Sequence, residues 1–209
     1  MSGETIIEGG GLRVVFARAG DRFSHTIGYV ARSASDFRLP TSDFRSPTSD
    51  LHFVPLLESI EGTPDDAWPA SPPLQSLHCE DRPDGKQLAL LVGMAGRSHW
   101  SLSLELDPAL GTVTCDVACR LHDEPGALTS TYRIVQTPVS MIGGSLALSS
   151  GARRFQLLLP QTADQHRCGL GISGASQVVV RNALASGPLP RTERWRYALT
   201  AERPSHQGI

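Results

Sequence analysis

Arg97-Ser98-His99-Trp100-Ser101-Leu102-Ser103-Leu104-Glu105-Leu106 runs through Asp107-Pro108-Ala109-Leu110-Gly111 into Thr112-Val113-Thr114-Cys115-Asp116-Val117-Ala118-Cys119-Arg120-Leu121. In the first arm Trp100, Leu102, Leu104 and Leu106 fall on every second residue, with His99, Ser101, Ser103 and Glu105 between them. In the second arm Val113, Cys115, Val117, Cys119 and Leu121 do the same, against Thr112, Thr114, Asp116 and Arg120. A period of two is the side-chain period of a β-strand, so each arm reads as a strand with one buried and one polar face. Asp107 and Pro108 supply strong turn chemistry between them. The stretch is a β-hairpin.

The hairpin also constrains its own register. Pairing Leu106 with Gly111 puts Leu104 opposite Val113, Leu102 opposite Cys115 and Trp100 opposite Val117. A slip of one residue would set every apolar side chain of one arm against a polar one of the other. Only an even slip or a bulge keeps the faces matched. In this register Ser101 stands opposite Asp116. His99 is diagonal to Asp116, at the roughly 7–8 Å typical of such neighbours. Arg120 lies one step further on the same face.

Strand character decides the meaning of Cys115-x3-Cys119-x2-His122. Two strand residues four apart share a face but lie about 13 Å apart, at roughly 3.3 Å per residue. Thiolates on one zinc must each approach to about 2.3 Å. The cysteines therefore read as structural, and no metal ligands are assigned.

The same alternation recurs along the chain. Leu12 to Arg18 and Arg22 to Ala31 form a first hairpin around Ala19-Gly20-Asp21. Leu51 to Ser59, Leu74 to Cys79 and Gln87 to Met94 precede the central hairpin. Thr129 to Gln136, Ser145 to Ser149, Arg153 to Leu159, Cys168 to Ser173, Gln177 to Arg181 and Arg194 to Ala201 follow it. With 20 Gly and 15 Pro in 209 residues, the chain turns often. The only plausible helical pieces are single turns, such as Asp65 to Trp68. About a dozen short strands at this spacing predict an all-β chain, an antiparallel β-sandwich over residues 1–209.

Two loops interrupt the rhythm. Residues 33–50 contain a tandem heptad, Ser35-Asp36-Phe37-Arg38-Leu39-Pro40-Thr41 and Ser42-Asp43-Phe44-Arg45-Ser46-Pro47-Thr48. A proline in each copy blocks a central strand, and two copies are too few to stack as a solenoid. The segment reads as an expanded surface loop. A binding or phospho-acceptor loop built on Ser46-Pro47 is the sharper alternative. The second loop, 62–73, is proline-rich and carries Trp68, which can anchor its loop or stack on a sugar ring.

Gly169-Leu170-Gly171-Ile172-Ser173-Gly174 spells a dinucleotide fingerprint, but that motif must open a helix. Here a strand follows. Ser101, His99 and Asp116 on one face suggest a hydrolase, yet serine and histidine two apart on a strand are about 7 Å apart at the backbone. No G-x-S-x-G elbow is present. A solvated polar face is the plainest reading, and a ligand-binding face the functional one. In the latter, Ser101 and Arg120 hold a ligand with Trp68 at the rim, and His99 and Asp116 serve proton transfer. His25 lies on a face with Phe23, Ile27 and Tyr29. It is expected as a hydrogen-bonded core histidine, or as a general acid or base lining a cleft.

A net charge of −2 gives no basic excess, so neither nucleic acid nor an anionic membrane is expected as a partner. No stretch approaches the length of a transmembrane helix. The start, Met1-Ser2-Gly3-Glu4-Thr5, has no basic segment followed by an apolar run, and the four cysteines form no C-x-x-C. A cytoplasmic location is expected. No cofactor is implied, and oligomeric state is not legible.

The dozen strands resemble, in architecture only, the large sandwiches of galactose mutarotase-like and glycoside-processing proteins. That resemblance implies a carbohydrate-binding or carbohydrate-modifying protein using a polar, concave sheet face. The alternative is a non-catalytic interaction or oligomerisation module, which a convex, fully solvated polar face together with a buried His25 would favour.

Overall fold

The computed structural model describes residues 3–32, 51–135, 137–160, 168–174 and 176–202. The duplicated loop at 33–50 lies outside the described residues.

The described residues contain no helix and form strands only. In chain order the strands are β1 (Thr5–Gly9), β2 (Leu12–Ala19), β3 (Arg22–Arg32), β4 (Leu51–Ser59), β5 (Ser76–Asp81), β6 (Gln87–Ala95), β7 (Ser98–Asp107) and β8 (Thr112–Leu121). They continue with β9 (Leu128–Ile134), β10 (Val139–Ile142), β11 (Ser145–Ser150), β12 (Arg153–Leu158), β13 (Cys168–Ser173), β14 (Gln177–Asn182) and β15 (Arg191–Ala201). One sheet has seven strands in the order β1-β2-β3-β4-β9-β14-β13; the other has eight, β10-β11-β12-β15-β8-β7-β6-β5. Every pairing is antiparallel. The two sheets face each other as a β-sandwich, because each has one apolar face that must leave water.

The alternation read in the central hairpin becomes burial. In β7, Trp100, Leu102, Leu104 and Leu106 are buried; in β8, Val113, Cys115, Val117, Cys119 and Leu121 are. They join side chains of the seven-stranded sheet, among them Phe16, Ile27, Leu57 and Tyr132, in one cluster. The final strand, β15, inserts between β12 and β8. This places Trp195 beside Val117 and Tyr197 beside Cys115. Their rings point into the core while Arg194 and Arg196 stay outside.

Three local expectations are corrected. The hairpin register is slipped by two residues: Leu106 pairs with Val113, Leu104 with Cys115, Leu102 with Val117 and Trp100 with Cys119. The reason lies in the turn. Asp107 itself pairs with Thr112, and its carboxylate accepts a hydrogen bond from the Leu110 amide at 3.0 Å, closing a loop over Pro108–Gly111. Second, β1 and β10 were not anticipated; they are short edge strands whose exposed Ile6, Met141 and Ile142 break the buried-polar alternation. Third, no helical turn forms at Asp65 to Trp68. The Asp66 carboxylate instead accepts the Thr63 amide at 2.7 Å, and the Asp66 amide donates to the Thr63 carbonyl at 3.1 Å.

Gly93, in the middle of β6, permits the proline-rich loop to dock. A Cβ there would lie 1.7 Å from the Pro73 carbonyl oxygen. Behind that contact the Gln75 amide donates to the Val92 carbonyl at 2.8 Å, and the Gln75 side-chain oxygen accepts from the Met94 amide at 3.1 Å.

Candidate functional site

The polar face of the central hairpin is rearranged by the slipped register. Ser103, not Ser101, stands opposite Asp116, and Ser101 faces Ala118. His99 stands directly opposite Arg120. Asp116 lies four residues along the strand from Arg120, about 13 Å away by strand rise. His99 and Asp116 are therefore not the close diagonal pair expected from the sequence. Asp116 is also engaged from its other side: Arg194 on β15 grips its carboxylate through Nε at 2.7 Å and Nη2 at 2.5 Å. The His99 ring lies 5.7 Å from that of His122. Ser101, His99 and Asp116 do not form a nucleophile–base pair in this arrangement.

His25 is buried, with 3% of its surface exposed, as the core reading anticipated. Its Nε2 is 2.8 Å from the Tyr132 hydroxyl, which is 2.6 Å from the Tyr197 hydroxyl. These three side chains come from β3, β9 and β15, so the hydrogen-bonded chain crosses from one sheet to the other. The Cys115 thiol sits against both tyrosines, and burial pushes it up to about 12. Burial likewise lowers His25 to about 4, so the ring is neutral near pH 7. Its backbone amide donates to Ser59 Oγ at 2.8 Å, and that hydroxyl donates to Glu61 Oε1 at 2.6 Å. Burial raises Glu61 to about 7, only partly opposed by the Ser59 hydrogen bond and the Arg22 charge. His25 thus belongs to a largely buried polar network whose outer member, Glu61, is half-buried. No local pattern marked Glu61 or Arg22, since neither sits at a core-facing position of a strand alternation.

Trp68 is half-buried, packed against Trp100 with ring centroids 6.4 Å apart. It anchors the 62–73 loop. The same loop is tied to β9 through Ser71 Oγ, which donates to the Thr131 carbonyl at 3.0 Å and accepts from its amide at 3.1 Å.

An open cleft of about 500 Å³ lies elsewhere, where turns distant in sequence meet. The β1–β2 turn brings Gly10, the β7–β8 loop brings Pro108, Leu110 and Gly111, and the β11–β12 turn brings Ala152 and Arg153. Arg154, Phe155, Ala201 and Glu202 complete it. Gly10 has φ +60°, and a Cβ on it would lie 2.5 Å from the Pro108 carbonyl oxygen, so glycine is what lets the two turns touch. The Ala201 amide donates to the Gly111 carbonyl and the Glu202 amide to the Arg154 carbonyl, each at 2.9 Å. The cleft sits at the far end of β7 from His99, roughly 25–30 Å along the strand.

Two exposed arginines line this cleft. The Arg153 guanidinium lies 4.8 Å from the centroid of the Tyr29 ring, and Tyr29 is in turn fixed by Ser150 Oγ at 3.0 Å. Arg154 Nη1 donates to Ser149 Oγ at 2.5 Å. Among the described residues neither arginine forms an ion pair with a carboxylate. Glu202, the carboxylate of the cleft, accepts from Gln156 Nε2 at 2.9 Å. The Arg153-Arg154 dipeptide is visible in the sequence, but nothing local reveals that three turns and the end of β15 surround it.

Fold and geometry together define a two-sheet antiparallel β-sandwich with a largely buried polar network inside and an arginine-lined cleft at one end. Comparison with known proteins finds no protein-family model that matches the chain and no curated protein that matches it. No helix of the described residues is long and apolar enough to cross a membrane.

Proposed function

We propose that this protein is a carbohydrate-binding β-sandwich that acts by binding rather than catalysis. The observation that carries this reading is the cleft bounded by Gly10, Pro108, Leu110, Arg153, Arg154 and Glu202. Its volume of about 500 Å³ falls within the range of small-ligand sites. A sugar needs fixed donors and acceptors for its hydroxyls and an apolar surface for its ring faces. The two guanidinium groups and the Glu202 carboxylate offer the first, and Pro108 and Leu110 the second. The hairpin face of His99, Ser101 and Arg120 is the weaker setting, because Asp116 is already bound by Arg194.

A glycan array followed by thermal-shift titration tests this. A ligand at a hundred times its Kd stabilises a protein by about 2.7 kcal/mol. For a chain of this length that is a rise in Tm of roughly 5–10 °C. An array on which no glycan is retained, with no shift from any sugar, removes the reading.

A second reading rests on a different observation. Leu90, Val92 and Met94 are exposed by 40%, 54% and 43% on the outer face of β6. They adjoin β5, an edge strand with no further partner in its sheet. The contact this row favours is a second copy of the chain, packing the same outer face of β6 against it so that the two apolar rows cover each other. Sedimentation then detects a dimer that Val92→Glu dissociates. A monomer at every concentration, or a dimer indifferent to Val92→Glu, overturns it.

A further inference from the structure

We infer that the cleft selects a ligand carrying an anionic group, with Arg153 and Arg154 as the residues that hold it; this rests on the carbohydrate-binding reading and adds the charge of the sugar. Adjacent strand residues point to opposite faces: at the start of β12 Arg153 turns to the Tyr29 ring of the facing sheet and Arg154 to Ser149 on β11, and the cleft at this end of the strand is lined by both residues. Their present partners are neutral: the Tyr29 ring for Arg153 and the Ser149 hydroxyl for Arg154. These contacts orient each guanidinium without cancelling its charge. A guanidinium stacked on a ring keeps its N–H groups free at the edge, and that edge matches the paired oxygens of a carboxylate, sulfate or phosphate. The surrounding walls add apolar contacts from Pro108 and Leu110 rather than further charge. Glu202 is the opposing carboxylate, and its hydrogen bond from Gln156 gives it a partner away from the arginines. An anion bound on the arginine side would leave the Glu202 side for sugar hydroxyls, which can donate to it. The ligand class that fits is a sugar bearing one oxyanion group: a uronate, a sugar sulfate or a sugar phosphate.

Isothermal titration of the full chain with glucose, glucuronate, glucose 6-phosphate and inorganic phosphate separates the components, at low salt and again at 0.15 M salt. The expected result is binding of glucuronate or glucose 6-phosphate at least tenfold tighter than glucose. It should weaken with salt and weaken again by about tenfold or more in Arg153→Gln and in Arg154→Gln, as loss of a charge-assisted contact predicts. Arg153→Gln also removes the contact with Tyr29, so Arg154→Gln, whose partner is only a hydroxyl, serves as the variant that keeps the fold in place. An unchanged melting temperature of the free protein verifies that. Glucose binding as tightly as the acidic sugars overturns the anionic inference and leaves the carbohydrate reading standing. Inorganic phosphate binding as tightly as glucose 6-phosphate supports the anion site and overturns the sugar component. Silence from all four probes, or acidic sugars indifferent to both substitutions, overturns the inference.

Discussion

Trp195→Ala is expected to lower the stability of the protein by about 3–5 kcal/mol, the cost of emptying a large buried aromatic site. Trp195 is 1% exposed, and its indole meets Trp100 edge to face at 6.1 Å and 89°. Its Nε1 donates to Ser130 Oγ at 3.0 Å, and Ser130 belongs to β9 of the opposite sheet. The residue thus fills the core and ties the sheets together, and it sits on the strand that closes the eight-stranded sheet between β12 and β8. Truncation removes contacts on every side and leaves a buried serine hydroxyl with one partner fewer. The fall in Tm should be roughly 6–20 °C for a chain of this length. Trp195→Phe keeps most of the volume and loses the donor, so its cost should be smaller, about 1–3 kcal/mol. Urea titration of the three proteins checks both. A Trp195→Ala variant within about 1 kcal/mol of the parent would show that the sheets are not held together through this site.

The second large effect is hidden in the parent protein and appears when either of two groups is removed. Burial lowers His25 from 6.5 to about 4 and raises Glu61 from 4.5 to about 7. For His25 the unfolded chain binds more protons between those limits, so its contribution to stability is lost as pH falls from 6.5 towards 4. For Glu61 the folded chain binds more protons, so its contribution is lost as pH rises from 4.5 towards 7. Between pH 4.5 and 6.5 the slopes are opposite, and each is at most about 1.4 kcal/mol per pH unit. They offset, and the pair gives the parent little pH dependence in that window. Glu61→Gln leaves the His25 slope alone: this variant should lose about 2–3 kcal/mol, relative to the parent, as pH is lowered from 6.5 to 4.5. His25→Gln leaves the Glu61 slope: it should lose a similar amount as pH is raised over the same range. The readout is the slope, not the offset, so a lost hydrogen bond to Tyr132 does not confuse it. Three parallel stability profiles would mean that neither group is held away from its ordinary protonation by the fold.

Glu61 also marks a limit of sequence reading. His25 was legible as a core residue because it alternates with Phe23, Ile27 and Tyr29. Glu61 lies two residues past the end of β4 in a segment with no period, and although only half-buried it has its carboxyl drawn out of water. The same contrast holds for the polar face. The sequence placed His99, Ser101, Asp116 and Arg120 on one side of a sheet correctly, but their neighbours depended on the turn. Asp107 joined the ladder, and the shift separated His99 from Asp116. Arg194, seventy-eight residues away along the chain, then engaged Asp116 instead. The cleft lay further out of reach, since Gly10, Pro108, Arg153 and Glu202 share no local pattern.

Taken alone, the sequence determined that the chain is extended almost throughout and, in the central hairpin, which side chains enter the core. These are properties of the pleat, written into each pair of neighbouring residues. Tertiary structure decided which strands lie side by side, by how many residues each ladder is offset, and which turns meet to enclose the cleft. A slip of two residues leaves every side chain on its original face, so hydrophobic patterning is blind to it; only turn geometry and partners from remote parts of the chain distinguish one offset from the next.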